Sequence, residues 1–252
     1  MAEVSRRTLV DQVADAILEQ VLGNGHALGV GDSLPSTSEL AERFDVSAVV
    51  VREAMATLAG RGLIVRRQGR EPVVAQPGPD VLDSIFRVRM HQDQISPSEF
   101  QQCRAALELQ SAALAATRGD RELRARTLLP PLHGIRAGKQ LAQIAAADMR
   151  FHLALVELAG NQALALILTS LHSLLREAVE GNTRRLLERY ESDGLQLNVD
   201  VHEAVAQRVI EGDRRGAVEA MANHFLVYGD DLGSVRFAGS TDRMEEARNP
   251  VG

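Results

Sequence analysis

Four side chains in the C-terminal half are of metal-binding type, and each falls where a helix would carry its apolar stripe. Between residues 139 and 159, Leu141, Ile144, Ala145, Leu155, Val156 and Ala159 repeat at helical spacing. Asp148 and His152 interrupt that stripe at i and i+4, which sets them side by side on one face. Further on, His202 shares a face with Val205 and Val209, and His224 lies with Ala217, Met221 and Tyr228. A buried carboxylate is costly unless paired. One carboxylate and three imidazoles meeting inside a bundle are satisfied together by a divalent transition metal. Nitrogen-rich ligation favours Zn²⁺ first, with Ni²⁺ or similar ions next, over Mg²⁺ or Ca²⁺.

A fifth residue extends that chemistry. Arg104 belongs to the face made by Phe100, Leu107 and Leu114. There it could bind the carboxylate of a small ligand whose other end meets the metal. Asn198 lies one turn before His202, and either lines such a pocket or caps its helix. Each type also has an ordinary use: a lone core histidine is more often a hydrogen-bonded structural group. An Asp–His pair at i, i+4 can be a simple hydrogen bond. His172, beside Leu168, Leu171 and Leu175, also falls on an apolar face and competes as a ligand. His26, His91 and His133 have no such setting.

The elements that must position these residues are helices. From Ser98 onward the spacing predicts helices over 98–118, 120–136, 139–159, 161–180, 183–192, 195–211 and 213–232. The resulting domain is expected over 83–235. Gln76-Pro77-Gly78-Pro79-Asp80 is a cluster of breakers and marks a linker at 77–82. Residues 236–252 are polar and aperiodic, and are expected to be a disordered tail.

The first 76 residues read differently. Val10, Val13, Ile17 and Val21 make a helical stripe that stops at Gly23-Asn24-Gly25. Ser36 and Glu39 form an S-x-x-E capping box opening a short second helix with Leu40, Ala41 and Phe44 inward. Asp45-Val46 turns the chain, and Ser47 caps a third helix reaching about Ala59. Leu63-Ile64-Val65 and Val73-Val74-Ala75 read as two short strands around Gln68-Gly69, with Pro72 confining the second to an edge. Three helices and a hairpin in that order describe a winged helix-turn-helix. Its third helix enters the DNA major groove while the wing holds phosphates. The fold class is therefore mainly α, an N-terminal winged helix-turn-helix followed by an all-α bundle.

Composition agrees with this division. The chain has 252 residues, enough for two modest domains, with no Trp and few aromatics. The net charge of −6 argues against indiscriminate coating of nucleic acid. Locally the balance reverses: Arg43, Arg52, Arg61, Arg66, Arg67 and Arg70 face only Asp45 and Glu53 over that stretch. Cys103 stands alone, which excludes an intrachain disulfide and suits a reducing cytoplasm. No apolar run approaches the roughly 18 residues that span a bilayer, and the N-terminus lacks the look of a secretory signal.

Two resemblances sharpen these readings. Leu34-Pro35-Ser36 through Glu39-Leu40-Ala41, Val46-Ser47, Val51-Arg52-Glu53-Ala54, Gly62-Leu63-Ile64 and Arg66-Arg67-Gln68-Gly69 resemble the DNA-binding domain of the GntR family. The DNA-contacting set this implies is Ser36, Ser38, Arg43, Ser47, Ala48, Val49, Arg52, Arg67, Gln68 and Gly69. The chain departs from the family at Ala48-Val49-Val50, where relatives usually carry Arg-Thr-Pro, and at Ser38, which some replace by Arg. Bidentate arginine is the commonest guanine contact, so these positions lose base readers, although Ala48 and Val49 can still touch thymine methyls. Farther on, Asp148-Met149-Arg150-Phe151-His152 with Ala159-Gly160-Asn161 resembles the FadR-like effector domain of the same family, called FCD. So do His202 with Gly212-Asp213, Ala217 and His224, and Arg104 with Leu107-Glu108. The metal-binding members' four ligand positions fall at Asp148, His152, His202 and His224.

Together these observations predict a homodimeric, cytoplasmic transcription regulator, a repressor, on a palindromic double-stranded DNA operator, controlled by a small carboxylate effector. The alternatives are a metal sensor without an organic ligand and, further off, a metal-dependent hydrolase. No nucleophile or general-base motif accompanies the ligands, so an enzyme is not expected.

Overall fold

The computed structural model describes residues 7–22, 28–67, 70–75, 80–190 and 193–228. The chain divides into two compact units at Val81/Leu82. Gln68, Gly69, Gln76, residues 77–79 of the expected linker and the expected tail at 236–252 lie outside the described residues.

The first unit has helices α1 (Leu9–Leu22), α2 (Thr37–Phe44) and α3 (Ala48–Gly60), then strands β1 (Ile64–Arg67) and β2 (Arg70–Val74). Its core is the apolar face of each element: Val13 and Ile17 from α1, Leu40 from α2, Val51, Ala54, Met55 and Leu58 from α3, Ile64 and Val74 from the hairpin. The capping box opens α2, with the Ser36 N–H donating to Glu39 Oε2 at 2.7 Å and the Glu39 N–H to Ser36 Oγ at 3.2 Å. Asp45, in the left-handed region at φ 53°, ends that helix and turns the chain into α3. The hairpin is antiparallel, pairing Ile64 with Val74 and Val65 with Val73. Both strands extend farther toward the turn than the apolar runs suggested. Pro72 has no N–H to offer a ladder, and its carbonyl accepts the N–H of Leu34 at 2.8 Å.

The second unit opens with α4 (Asp80–His91), a helix the sequence reading did not foresee. The expected linker at 77–82 is therefore helical from Asp80. Leu82, Phe86 and Met90 pack inward, while Val81, Ile85 and Val88 are exposed. Apolar residues on both faces blur the helical period, which is why the segment read as featureless. Arg87 fastens α4 to the bundle through Glu177 at 2.7 Å and Ser173 at 2.8 Å.

Next come α5 (Pro97–Ala115), α6 (Arg121–Ala137), α7 (Leu141–Leu158), α8 (Gln162–Ser170), α9 (His172–Tyr190), α10 (Gly194–Glu211) and α11 (Arg214–Val227). The single helix expected over 161–180 is broken at Leu171, and the separate helix expected at 183–192 is the continuation of α9. Gly181-Asn182 reads as a break because glycine costs about 1 kcal/mol inside a helix. Here Leu174, Leu175, Val179 and Leu186 bury one continuous stripe across it, and that burial outweighs the glycine.

The approach of α10 to α9 depends on a glycine of a different kind. A Cβ added at Gly194 would sit 2.8 Å from Leu187 Cα and 2.9 Å from the Leu186 carbonyl oxygen, both backbone atoms. Gly194→Ala must therefore displace the start of α10. Denaturant unfolding should show a loss of about 1–3 kcal/mol, the usual cost of overpacking. A variant as stable as the parent would mean that the two helices do not meet this closely.

Candidate functional site

Five helices of the second unit converge on one buried polar cluster. Helix α7 supplies Asp148 and His152, α10 supplies Asn198 and His202, α11 supplies His224, α5 supplies Arg104 and Glu108, and α9 supplies Thr183. None of these eight is more than 3% exposed. The faces predicted for the four ligand types are those the helices bury.

The ring nitrogens are oriented by their second contacts. His202 Nδ1 lies 2.7 Å from the carbonyl oxygen of Asn198, an acceptor, so the proton belongs on Nδ1. His202 Nε2 points the other way, 3.4 Å from Asp148 Oδ1 and 3.3 Å from His224 Nε2. His152 is held in the same sense: Nδ1 contacts Glu108 Oε2 and Nε2 lies 3.1 Å from Asp148 Oδ1. The other Asp148 oxygen, Oδ2, accepts from Thr183 Oγ1 and Asn198 Nδ2, each at 3.4 Å.

Charge follows this geometry. Burial alone would raise the Asp148 pKa, but His202 and His152 hold its carboxyl well below the usual range. Glu108 is likewise buried, and Arg104 followed by His152 pulls it down to about 2. For His152, burial favours the neutral ring, yet the Glu108 carboxylate raises its pKa. Burial, with the neighbouring His202 and His152, pushes His224 far down and keeps it a neutral base.

The arrangement fits a metal ion. One ligand atom from each of His152, His202 and His224 lies within 4.8 Å of the others, and Asp148 Oδ1 lies 3.1 Å from His152 Nε2 and 3.4 Å from His202 Nε2. Three imidazoles and one carboxylate are the donor types of a transition-metal site, and the carboxylate and carbonyl behind two of the rings are its usual outer supports.

Other residues fall as follows. Arg104 Nε donates to Glu108 Oε1 at 2.7 Å, and its Cζ lies 5.0 Å over the Phe225 ring. Asn198 is buried against Asp148 rather than at the start of α10, so the capping reading is set aside. His172 stands exposed at the first residue of α9 and takes no part. Glu108 enters the sequence reading only as a residue of the resemblance, with no role given to it, and Thr183 does not enter it. Glu108 had a signal, being four residues beyond Arg104 on the same helix; Thr183 had none.

In the first unit, Ser47 caps α3, its Oγ accepting the Val50 N–H at 3.4 Å. Ala48 and Val49 are exposed on the following turn. Arg52 from α3 lines a groove of about 680 Å³ together with Arg66, Arg70, Ser33 and Thr37. Ser38 is exposed. Arg43 is also exposed and donates to Gln20 Oε1 at 3.3 Å. The Ser36 hydroxyl is engaged in its cap. Arg67 is described only as backbone in β1, paired with Arg70.

A winged helix-turn-helix beside a helical bundle with a buried histidine cluster defines a class of one-component transcription regulators. The chain belongs to the GntR family of bacterial regulatory proteins: that family's profile matches residues 9–74 and the FCD domain matches 99–226. It is similar to the HTH-type transcriptional regulator LutR of Bacillus subtilis, 30% identical over 215 residues covering 84% of this chain and 96% of that one. It is also similar to the Glc operon transcriptional activator of Escherichia coli K12, 31% identical over 84% of this chain and 85% of the relative. Among solved structures, Streptococcus agalactiae GntR shares the fold at a TM-score of 0.65, with 24% identity over 86% of this chain and 97% of that one. Among the described residues no helix is long and apolar enough to cross a membrane.

Metal binding at His152 Nε2 must displace the proton there, part of the charged ring that the Glu108 and Asp148 carboxylates favour. Zinc affinity is therefore greatest above the raised His152 pKa. It should fall by up to about tenfold per pH unit as pH drops through that pKa. Calorimetric zinc titrations from about pH 8 to about pH 5.5 measure this slope, and a flat profile would place the metal elsewhere.

Proposed function

We propose that this DNA-binding regulator senses a small organic acid at a metal held by Asp148, His152, His202 and His224 in its C-terminal bundle. The observation that carries the reading is the convergence of three buried imidazoles, two of them against the Asp148 carboxylate. Zn²⁺ is the metal the donor set favours, with Ni²⁺ or a similar ion as the nearest substitutes. Bound metal supplies a Lewis-acidic position for a ligand oxygen. Arg104 supplies the cation for a ligand carboxylate, and Asn198 steadies Asp148 beside it.

The present cavity along Arg104, Glu108, Met149 and His152 has a volume of about 10 Å³, on the scale of a single water. An organic acid therefore enters only if the helices around it separate. Leu168, Leu175 and Val179 wall this cavity from α8 and α9, so ligand binding moves those helices relative to α5 and α7. Such a rearrangement is the physical form of control we propose. Its coupling to DNA affinity is typically about 1–3 kcal/mol.

On DNA, the α3 N-terminus with Ser47, Ala48 and Val49 would face the major groove, and Arg52, Arg66, Arg67 and Arg70 would hold phosphate. Ser36, Ser38, Arg43, Gln68 and Gly69 complete the proposed contact surface. A cytoplasmic homodimer would place two such heads on a palindrome, about 34 Å apart. Repression follows where the operator overlaps the promoter. The relative from the Glc operon is an activator, so the sign belongs to operator placement.

The zinc-loaded protein should capture genomic fragments that share a short palindrome, at one fixed near-physiological salt. His224→Ala should capture the same fragments while its zinc content falls from about one per chain to near zero. Recovery of nothing above background would remove the DNA-reading role. Full zinc retention by the variant would remove His224 from the metal site.

A further inference from the structure

Glu108 is buried in the cluster, yet it is not aimed at the converging nitrogens. Its two oxygens are divided. Oε1 accepts Arg104 Nε at 2.7 Å along α5, and Oε2 contacts His152 Nδ1 on α7. Both partners and Glu108 itself are at most 3% exposed, so water does not substitute for either contact. We propose that Glu108 is a positioning residue that couples the anion-binding arginine to the metal centre. It fixes His152 with Nε2 toward Asp148, and it makes occupancy at Arg104 felt at the metal. The inference rests on the metal and organic-acid reading above.

The chemistry requires a carboxylate. Two donors, the Arg104 guanidinium and the His152 ring N–H, must each meet an acceptor in a dry interior. Glutamine has the same shape but one acceptor oxygen, so one donor would then face an amide NH₂. An anion docking on Arg104 competes with Oε1 for the guanidinium. The relieved carboxylate becomes a stronger acceptor for His152 Nδ1–H, and the ring a better metal donor. By linkage, metal strengthens organic-acid binding by the same factor that the acid strengthens metal binding.

Zinc alone is a sufficient probe. Titrating zinc into the full-length protein and into Glu108→Gln should show about 10–100-fold weaker binding in the variant, the usual cost of losing a carboxylate behind a metal-bound histidine. Arg104→Met should change zinc affinity several-fold in the parent and less than about twofold in the Glu108→Gln background. Equal zinc affinity in parent and Glu108→Gln would overturn the inference. So would an Arg104→Met effect of the same size in both backgrounds, which would mean a through-space action independent of Glu108. A parent that takes up no zinc would instead sink the metal reading itself. If Glu108→Gln loses its fold by circular dichroism, ring ¹⁵N NMR of the zinc-loaded parent reads the same contact. A proton on His152 Nδ1 with Nε2 on the metal is expected, and the opposite tautomer contradicts the proposal.

Discussion

The second unit is organised around the charge on Asp148. A carboxylate placed in the middle of α7 and removed from water needs several kilocalories of compensation. The bundle supplies it from three directions: His152 one turn away on the same helix, His202 and Asn198 from α10, and Thr183 from α9. Each of these contacts fixes a helix rotation. Gly194 lets α10 start against the backbone of α9, which sets both Asn198 and Thr183 on the same oxygen. The apolar core then closes around the cluster, with Phe151 edge-on to His202 at 5.0 Å and Phe225 beneath Arg104.

The metal proposed above would bring a positive charge to this cluster. The Nε2 atoms of His202 and His224 lie 3.3 Å apart beside the Asp148 carboxylate, a spacing bridged by one shared proton or by a cation. In the metal-bound state proposed above, a divalent ion would take up the cluster, with Glu108 behind His152 and the Asn198 carbonyl behind His202. The cavity along Arg104 and His152 holds only about 10 Å³, so the proposed effector would have to shift the closely packed helices around it on binding.

How much of this was legible depends on how local each signal is. The Ser36–Glu39 box, the Ser47 cap and the Asp45 turn are set within a few residues, and the sequence identifies them directly. Asp148, His152, His202 and His224 each interrupt an apolar stripe on their own helix, but His172 does so too, and the choice of these four rests on the resemblance to the FCD domain. Helix α4 escaped because Val81, Ile85 and Val88 put apolar residues on its outer face as well. The α8/α9 division was misplaced because Gly181-Asn182 looks like a stop, and only the burial of Val179 and Leu186 on either side shows that it is not. Thr183 and the double use of Glu108 arise from contacts between helices, which single-helix periodicity does not encode.

The most direct test of the account is X-ray absorption at the zinc edge of the loaded full-length protein. The account predicts a first shell of three imidazole nitrogens and oxygen at about 2.0–2.2 Å, with no sulfur, and the imidazole multiple-scattering pattern reduced when His202 is replaced by alanine. A shell of oxygens alone, or one unchanged by that replacement, would contradict it.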